Sequence, residues 1–153
     1  MRYGILGWGG VYQTHLKKVE ILQKRIIKLI LGKSRLFPTE ELYEEFKVMD
    51  PRQLYMHSII LHIYNHKHIL RSITHRYETR AKENMDHQTE NSKKRIGQRS
   101  FYYLAERTFN SLPIMYKEYI FRINSISLVK KIFKKYVLDV GRNNVDDLLN
   151  IKN

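Results

Sequence analysis

Apolar positions settle into a regular repeat after Gln13. Leu16, Val19, Leu22, Ile26, Leu29 and Ile30 recur at three- and four-residue spacing. That period predicts an amphipathic helix with this stripe turned toward a core. Thr14 is its predicted N-cap, because a threonine hydroxyl accepts from an orphan backbone N–H. Gly32 supplies a left-handed stop, and Pro38 follows soon after. Thr39 opens a second, short helix, whose first turn carries Glu40 and Glu41 where the macrodipole favours acids and whose apolar side is Leu42, Tyr43 and Phe46. Asp50-Pro51 opens a third, with Asp as N-cap and Pro at the first helical position. It runs to about Leu70. Its apolar positions, Leu54, Tyr55, Ile59, Leu61 and Ile63, form a broad stripe that predicts packing on more than one neighbour.

The periodicity then lapses. Between Arg80 and Arg95 only Ala81 and Met85 are apolar, which predicts a mobile linker over residues 81–96, closed by Gly97. Phe101, Leu104, Ala105, Phe109 and Leu112 fit a helix that stops at Pro113, with a strand over 101–104 as the alternative. A last amphipathic helix spans Ser127 to Leu138. Leu128, Val129, Ile132, Phe133 and Val137 are expected inward, opposite a solvated face of Lys130, Lys131, Lys134 and Lys135. The polar tail from Gly141 is expected to fray. The fold class that follows is all-α: an irregular array of about five helices in segments 1–80 and 97–140, with a disordered linker between them and a tail at 141–153.

Composition agrees and adds a charge. A chain of 153 residues fits one domain, and its 42% hydrophobic content argues against wholesale disorder. Zero cysteine excludes disulfides, thiol nucleophiles and Cys-ligated metals. No apolar run reaches the roughly 20 residues of a membrane span, since Lys28 breaks the best one. The glycine-rich start after Met1-Arg2 is no secretory h-region. An intracellular protein is expected, nuclear or cytoplasmic and not secreted. Lys and Arg number 28 against 15 Asp and Glu, a formal net charge of +13. Such an excess implies polyanionic partners, nucleic acid first.

Candidate catalytic chemistry is sparse. A polymerase-type site needs separated aspartates converging on two Mg²⁺ ions. The only Asp doublet, Asp146-Asp147, sits in a polar tail and reads as a solvated turn or helix start. His62 and His66 have the i, i+4 spacing of a metal pair, but Ile63 stands where a zinc protease needs Glu, and packed histidines are the simpler reading. Gly7, Gly9 and Gly10 lack the Gly-Lys-Ser/Thr ending of a phosphate loop and read as turn glycines. No catalytic residue and no metal ligand is assigned.

The basic clusters are the positive signal. Lys17, Lys18, Lys24, Arg25, Lys28, Lys33 and Arg35 are opposed within their stretch only by Glu20. A cationic helix face of this kind tracks phosphates by releasing condensed counterions. Lys93, Lys94, Arg95 and Arg99 lie next to Phe101, Tyr102 and Tyr103, a pairing of cations with rings that suits single strands. Phe101 and Tyr103 also read as core.

Taken together and in order, several segments give the chain a family resemblance. Tyr3-Gly4-Ile5-Leu6-Gly7-Trp8-Gly9, Leu22-Gln23-Lys24-Arg25-Ile26-Ile27-Lys28, the set His75, Tyr77, Thr79 and Arg80, Gly97-Gln98-Arg99-Ser100-Phe101-Tyr102-Tyr103, Asn110-Ser111-Leu112-Pro113 and the Ser127–Lys135 helix are its parts. The chain resembles the C-terminal, thumb and post-thumb region of reverse transcriptases encoded by non-LTR retrotransposons of the jockey/LINE type. The resemblance implies a fragment of an RNA-directed DNA polymerase that holds template RNA and nascent DNA against the missing palm. It implies that the parent's Mg²⁺-binding palm and its endonuclease lie upstream of Met1, so that this chain has no cofactor and no activity alone. A helical protein-interaction remnant with no nucleic-acid role is the alternative.

Overall fold

The computed structural model describes residues 4–70, 79–89 and 100–149. Among them the fold is all-α, as expected, and β-structure is limited to an isolated bridge at His87. The helices are α1 (Ile5–Trp8), α2 (Gln13–Ile30), α3 (Thr39–Phe46), α4 (Pro51–Asn65), α5 (Arg80–Glu83), α6 (Phe101–Ser111), α7 (Ile114–Arg122), α8 (Ile126–Val140) and α9 (Arg142–Leu149), with a 3₁₀ turn at Lys67–Ile69. That exceeds the expected five because α1 and α5 are single turns, α9 carries few apolar residues, and the apolar residues of α7 are spread around the helix without forming a stripe.

The architecture is built around α4. Asp50 starts it with a capping box: its Oδ1 accepts from the Gln53 N–H at 2.8 Å, and the Gln53 side chain accepts from the Asp50 N–H at 3.1 Å. Tyr55, Met56, Ile59, Ile60 and Ile63 then bury around almost the whole circumference. The broad stripe is met by α1, α6, α7, α8 and α9, all of which pack on α4. Ser100 caps α6 by accepting from the Tyr103 N–H, so Phe101–Leu104 is helix and not strand. In α8, Val129, Phe133 and Val137 bury at four-residue intervals. Leu128, expected inward, faces solvent because the helix is rotated to seat that narrower ridge on α4.

Two expectations are corrected. The tail does not fray at Gly141: α9 packs on α4, α6 and α8, with Val145 and Leu149 fully buried. Only Val145 and Leu149, with a partly buried Leu148, face inward, so the local pattern is faint and the tertiary contacts decide. The first part of the expected linker is ordered as well. The His87 N–H donates to Asn110 Oδ1 and the Asn110 amide donates to the His87 carbonyl, both at 2.8 Å. Lys117, 2% exposed, donates to the Asn84 carbonyl and pairs with Asp86 at 2.5 Å. Polar side chains of α6 and α7 hold residues 84–87 by bonds that leave no hydrophobic period. The remainder of that linker, 90–96, lies outside the described residues.

One glycine is required by its neighbours. A Cβ on Gly9 would lie 2.3 Å from Tyr55 Cδ2 and 2.7 Å from the Ile5 carbonyl oxygen, whereas one on Gly7 meets nothing. Gly9→Ala is expected to destabilise by roughly 1–3 kcal/mol or more by overpacking. Gly7→Ala, at a helical position, should be neutral or slightly stabilising in the same urea titration. Burial also pushes the Tyr55 hydroxyl up to about 12, against the pull of Arg52. A folded value above the unfolded 10.0 means that this stabilisation is complete below pH 10 and is lost as pH rises toward 12. Alkaline unfolding should therefore steepen above pH 10, and Tyr55→Phe should flatten that limb.

Candidate nucleic-acid interface

The first basic cluster rides on α2, and the structure turns that helix the opposite way from its apolar pattern. Leu16 and Gln23 are its buried residues, while Leu22, Ile26, Leu29 and Ile30 are 54%, 51%, 83% and 75% exposed. The expected inward stripe is therefore mostly outward. The cause is a polar network on the opposite face. Gln23 donates to the Met49 carbonyl at 2.8 Å and accepts from the Tyr43 hydroxyl at 3.0 Å. Glu20 pairs with Lys24 and with Arg142, which also binds Asp50 at 2.9 Å and lies over the Tyr43 ring at 4.4 Å. Burial holds the Tyr43 hydroxyl above its ordinary value despite Arg142. A polar group left unpaired in this seam would lose about 1–3 kcal/mol, so satisfying the network fixes the rotation of α2.

That rotation divides the seven predicted cations. Lys17, Lys18, Arg25 and Arg35 are exposed and make no ion pair among the described residues. Lys24 is tied to Glu20. Lys28 donates to the carbonyls of Arg35 and Phe37, at 2.8 and 2.6 Å, and holds the loop after α2 in place. Gly32, in the left-handed region at φ 61°, lets the Lys33 N–H reach the Lys28 carbonyl and close the helix. Lys33 pairs with Glu45 at 3.2 Å and lies 4.6 Å over the Phe37 ring. Lys28 and Lys33 therefore build the α2–α3 corner, and Lys24 is held in an i, i+4 pair on α2 itself. Lys93, Lys94, Arg95 and Arg99 lie outside the described residues. Of the neighbouring rings, Tyr103 is buried, Phe101 half-buried, and Tyr102 exposed.

The cluster on α8 gains what α2 loses. Gln53 Nε2 donates to the Val137 carbonyl at 3.3 Å, and His57 Nε2 lies 3.2 Å from the Lys130 carbonyl oxygen, so two α4 side chains fix α8 in azimuth. Lys130, Lys131, Lys134 and Lys135 all stand exposed, and none makes an ion pair among the described residues. Lys131, Lys134 and Lys135 form one wall of a cleft of about 780 Å³ whose opposite wall, on α3, carries Glu40 and Glu44. Lys130 lies outside the cleft lining. The four lysines are exposed, as the solvated-face reading expected, but nothing in the sequence showed that all four would be without an ion pair among the described residues.

The remaining candidates take structural roles. Asp146 pairs with Arg52 at 2.7 Å, and burial holds its carboxyl above the usual range despite that guanidinium. The doublet therefore does not fit a Mg²⁺ site, because its better-placed carboxylate already faces a fixed cation. The His62 and His66 rings stack at 4.4 Å, with Phe101 edge-on to His62 at 4.7 Å. Burial, and then His66 and His68, lower the His62 pKa. Among the described residues no group of three or more His, Asp or Glu side chains is placed to hold a metal ion. No helix among them is long and apolar enough to cross a membrane. Comparison of the chain with protein-family models, with curated proteins and with solved structures gave no match.

Proposed function

We propose that this chain is a nucleic-acid-binding part of a non-LTR-retrotransposon-type reverse transcriptase, gripping template RNA and nascent DNA without performing catalysis. The observation that carries the reading is the row Lys130, Lys131, Lys134 and Lys135, exposed and without an ion pair among the described residues, on a helix anchored at both Gln53 and His57. The exposed Lys17, Lys18, Arg25 and Arg35 extend the positive surface to the α2 side. Such cations bind phosphates independently of sequence, the contact a polymerase needs along its template–primer. Glu40 and Glu44 disfavour a phosphate backbone in the depth of the α8 cleft, so the strand lies along the rim, where Lys131, Lys134 and Lys135 stand, and over the outer face that carries Lys130. The parent enzyme's Mg²⁺ chemistry belongs to residues other than these.

Fluorescence anisotropy with a labelled RNA–DNA hybrid tests the proposal. Each phosphate contact contributes about 0.7–0.9 to the log–log salt slope, so an interface of these eight cations gives a slope near −6. Absence of binding at low salt would overturn the reading in favour of a helical protein-interaction segment. Primer, template, dNTPs and Mg²⁺ added to the purified chain should give no templated extension.

A further inference from the structure

Exposed apolar side chains scattered singly are ordinary, but a contiguous patch marks an interaction surface. Leu22, Ile26, Leu29 and Ile30 lie at i, i+4, i+7 and i+8 of one helix and are each more than half exposed. They form a single ridge, and the Glu20–Gln23 network locks it outward, so no small rotation of α2 can bury it. Lys18 and Arg25 run along the solvent edge of the ridge, both exposed and without ion pairs among the described residues. The other edge is the seam of α2 with α3 and α4.

We propose that this ridge docks an amphipathic helix of a partner protein whose apolar face is edged by carboxylates. Charge complementarity selects that occupant. The only acid on α2 is Glu20, which is turned into the fold and already paired with Lys24 and Arg142. A second copy of this chain would bring Lys18 and Arg25 against their own kind, within a molecule of net charge +13. A lipid surface engages an apolar face flanked by cations and open on both sides, whereas this one is bounded on one edge by the seam with α3 and α4 and carries cations on the other edge only. A row at i, i+4, i+7 is the spacing by which a single helix packs along another. The ridge shares Lys18 and Arg25 with the proposed nucleic-acid surface, but its apolar side chains play no part there and the α8 lysines play no part here.

The test uses two synthetic helices of about the 18 residues of α2. Both carry Leu at i, i+4, i+7 and i+11, one with Glu along the edge of that face and one with Lys there. Titrated against the full chain, the Glu peptide is expected to bind at least about tenfold tighter than the Lys peptide. Ile26→Ser with Leu29→Ser should weaken it by about tenfold or more, and Arg25→Glu should reverse the preference. Circular dichroism checks the fold of each variant, and because Arg25 is exposed and makes no ion pair among the described residues, its reversal stands even if the double variant unfolds. Equal affinity for the two peptides, or indifference to both sets of variants, would overturn the proposal. So would binding to phosphatidylcholine–phosphatidylglycerol vesicles with neither peptide bound, or self-association of the chain that Ile26→Ser with Leu29→Ser abolishes.

Discussion

Arg52→Met is expected to destabilise the fold by about 3–5 kcal/mol, the loss typical of removing one partner from a buried charged network. Arg52 is 4% exposed, and its guanidinium ties three distant segments together. It donates to the carbonyl of Gly9 at 2.7 Å, to that of Val11 at 2.9 Å and to Gln13 Oε1 at 3.4 Å. It also pairs with Asp146 at 2.7 Å. Methionine fills the volume but leaves those carbonyls without a donor and strands the carboxylate. Arg52→Lys should recover only part of the loss, because an ammonium cannot reproduce the planar fork. In urea, with a slope of about 1–3 kcal/mol/M, the midpoint should fall by more than about 1 M. The deficit should also depend on pH. The folded Asp146 value already lies above the unfolded one, so this group's contribution is fully present below pH 3.8 and lost as pH rises through the folded value. Removing Arg52 removes the cation that opposes that shift. The deficit should therefore be greater at neutral pH and shrink on acidification toward 3.8. A loss below about 1 kcal/mol would show that Arg52 is not the tie between α1, α2 and α9.

The second large effect is on binding. Replacing Lys130, Lys131, Lys134 and Lys135 together by Gln should reduce the log–log salt slope by about 3–4, at roughly 0.7–0.9 per lost phosphate contact. At moderate salt that amounts to a drop in affinity of two orders of magnitude or more. Stability should change little, since exposed residues without ion pairs shift it by about 0.5 kcal/mol or less each. The α2 cations separate the structural from the functional contribution. Lys17→Gln with Lys18→Gln should lower the slope without touching stability. Lys28→Gln should loosen the loop at Arg35–Phe37, because its ammonium is bonded to both carbonyls, and should leave the slope nearly unchanged. An unchanged slope in the α8 variant would remove that helix from the interface.

Much of the helical layout was legible in the sequence because its signals are local. Asp50-Pro51, Gly32 and Pro113 mark helix ends through backbone chemistry that operates within four residues, whereas Thr14 lies inside α2, whose N-cap is Tyr12 with no side-chain capping bond. The broad stripe of α4 correctly announced a helix surrounded by neighbours. The α7 and α9 helices and the segment at 84–87 were not legible. Their positions are held by Lys117, Asn110, Arg142 and Asp146, whose partners lie 23 to 122 residues away in the chain.

The α2 helix shows where local reasoning reaches its limit. Its period gave a helix, and its length and end are as expected, but the inward face was assigned to the wrong side. A hydrophobic period reports only that two faces differ; which face meets the body depends on what the body offers. Here it offers Tyr43, the Met49 carbonyl and Arg142, and these take Gln23 and Glu20 inward. The same limit applies to the candidate interface. The apolar periodicity by itself determined the all-helical class, and composition the large positive excess. Tertiary structure alone decided which cations remain available. Ion pairing is a matter of distances of a few ångströms between residues far apart in sequence, and those distances spend Lys24, Lys28 and Lys33 on the fold while leaving the α8 row free.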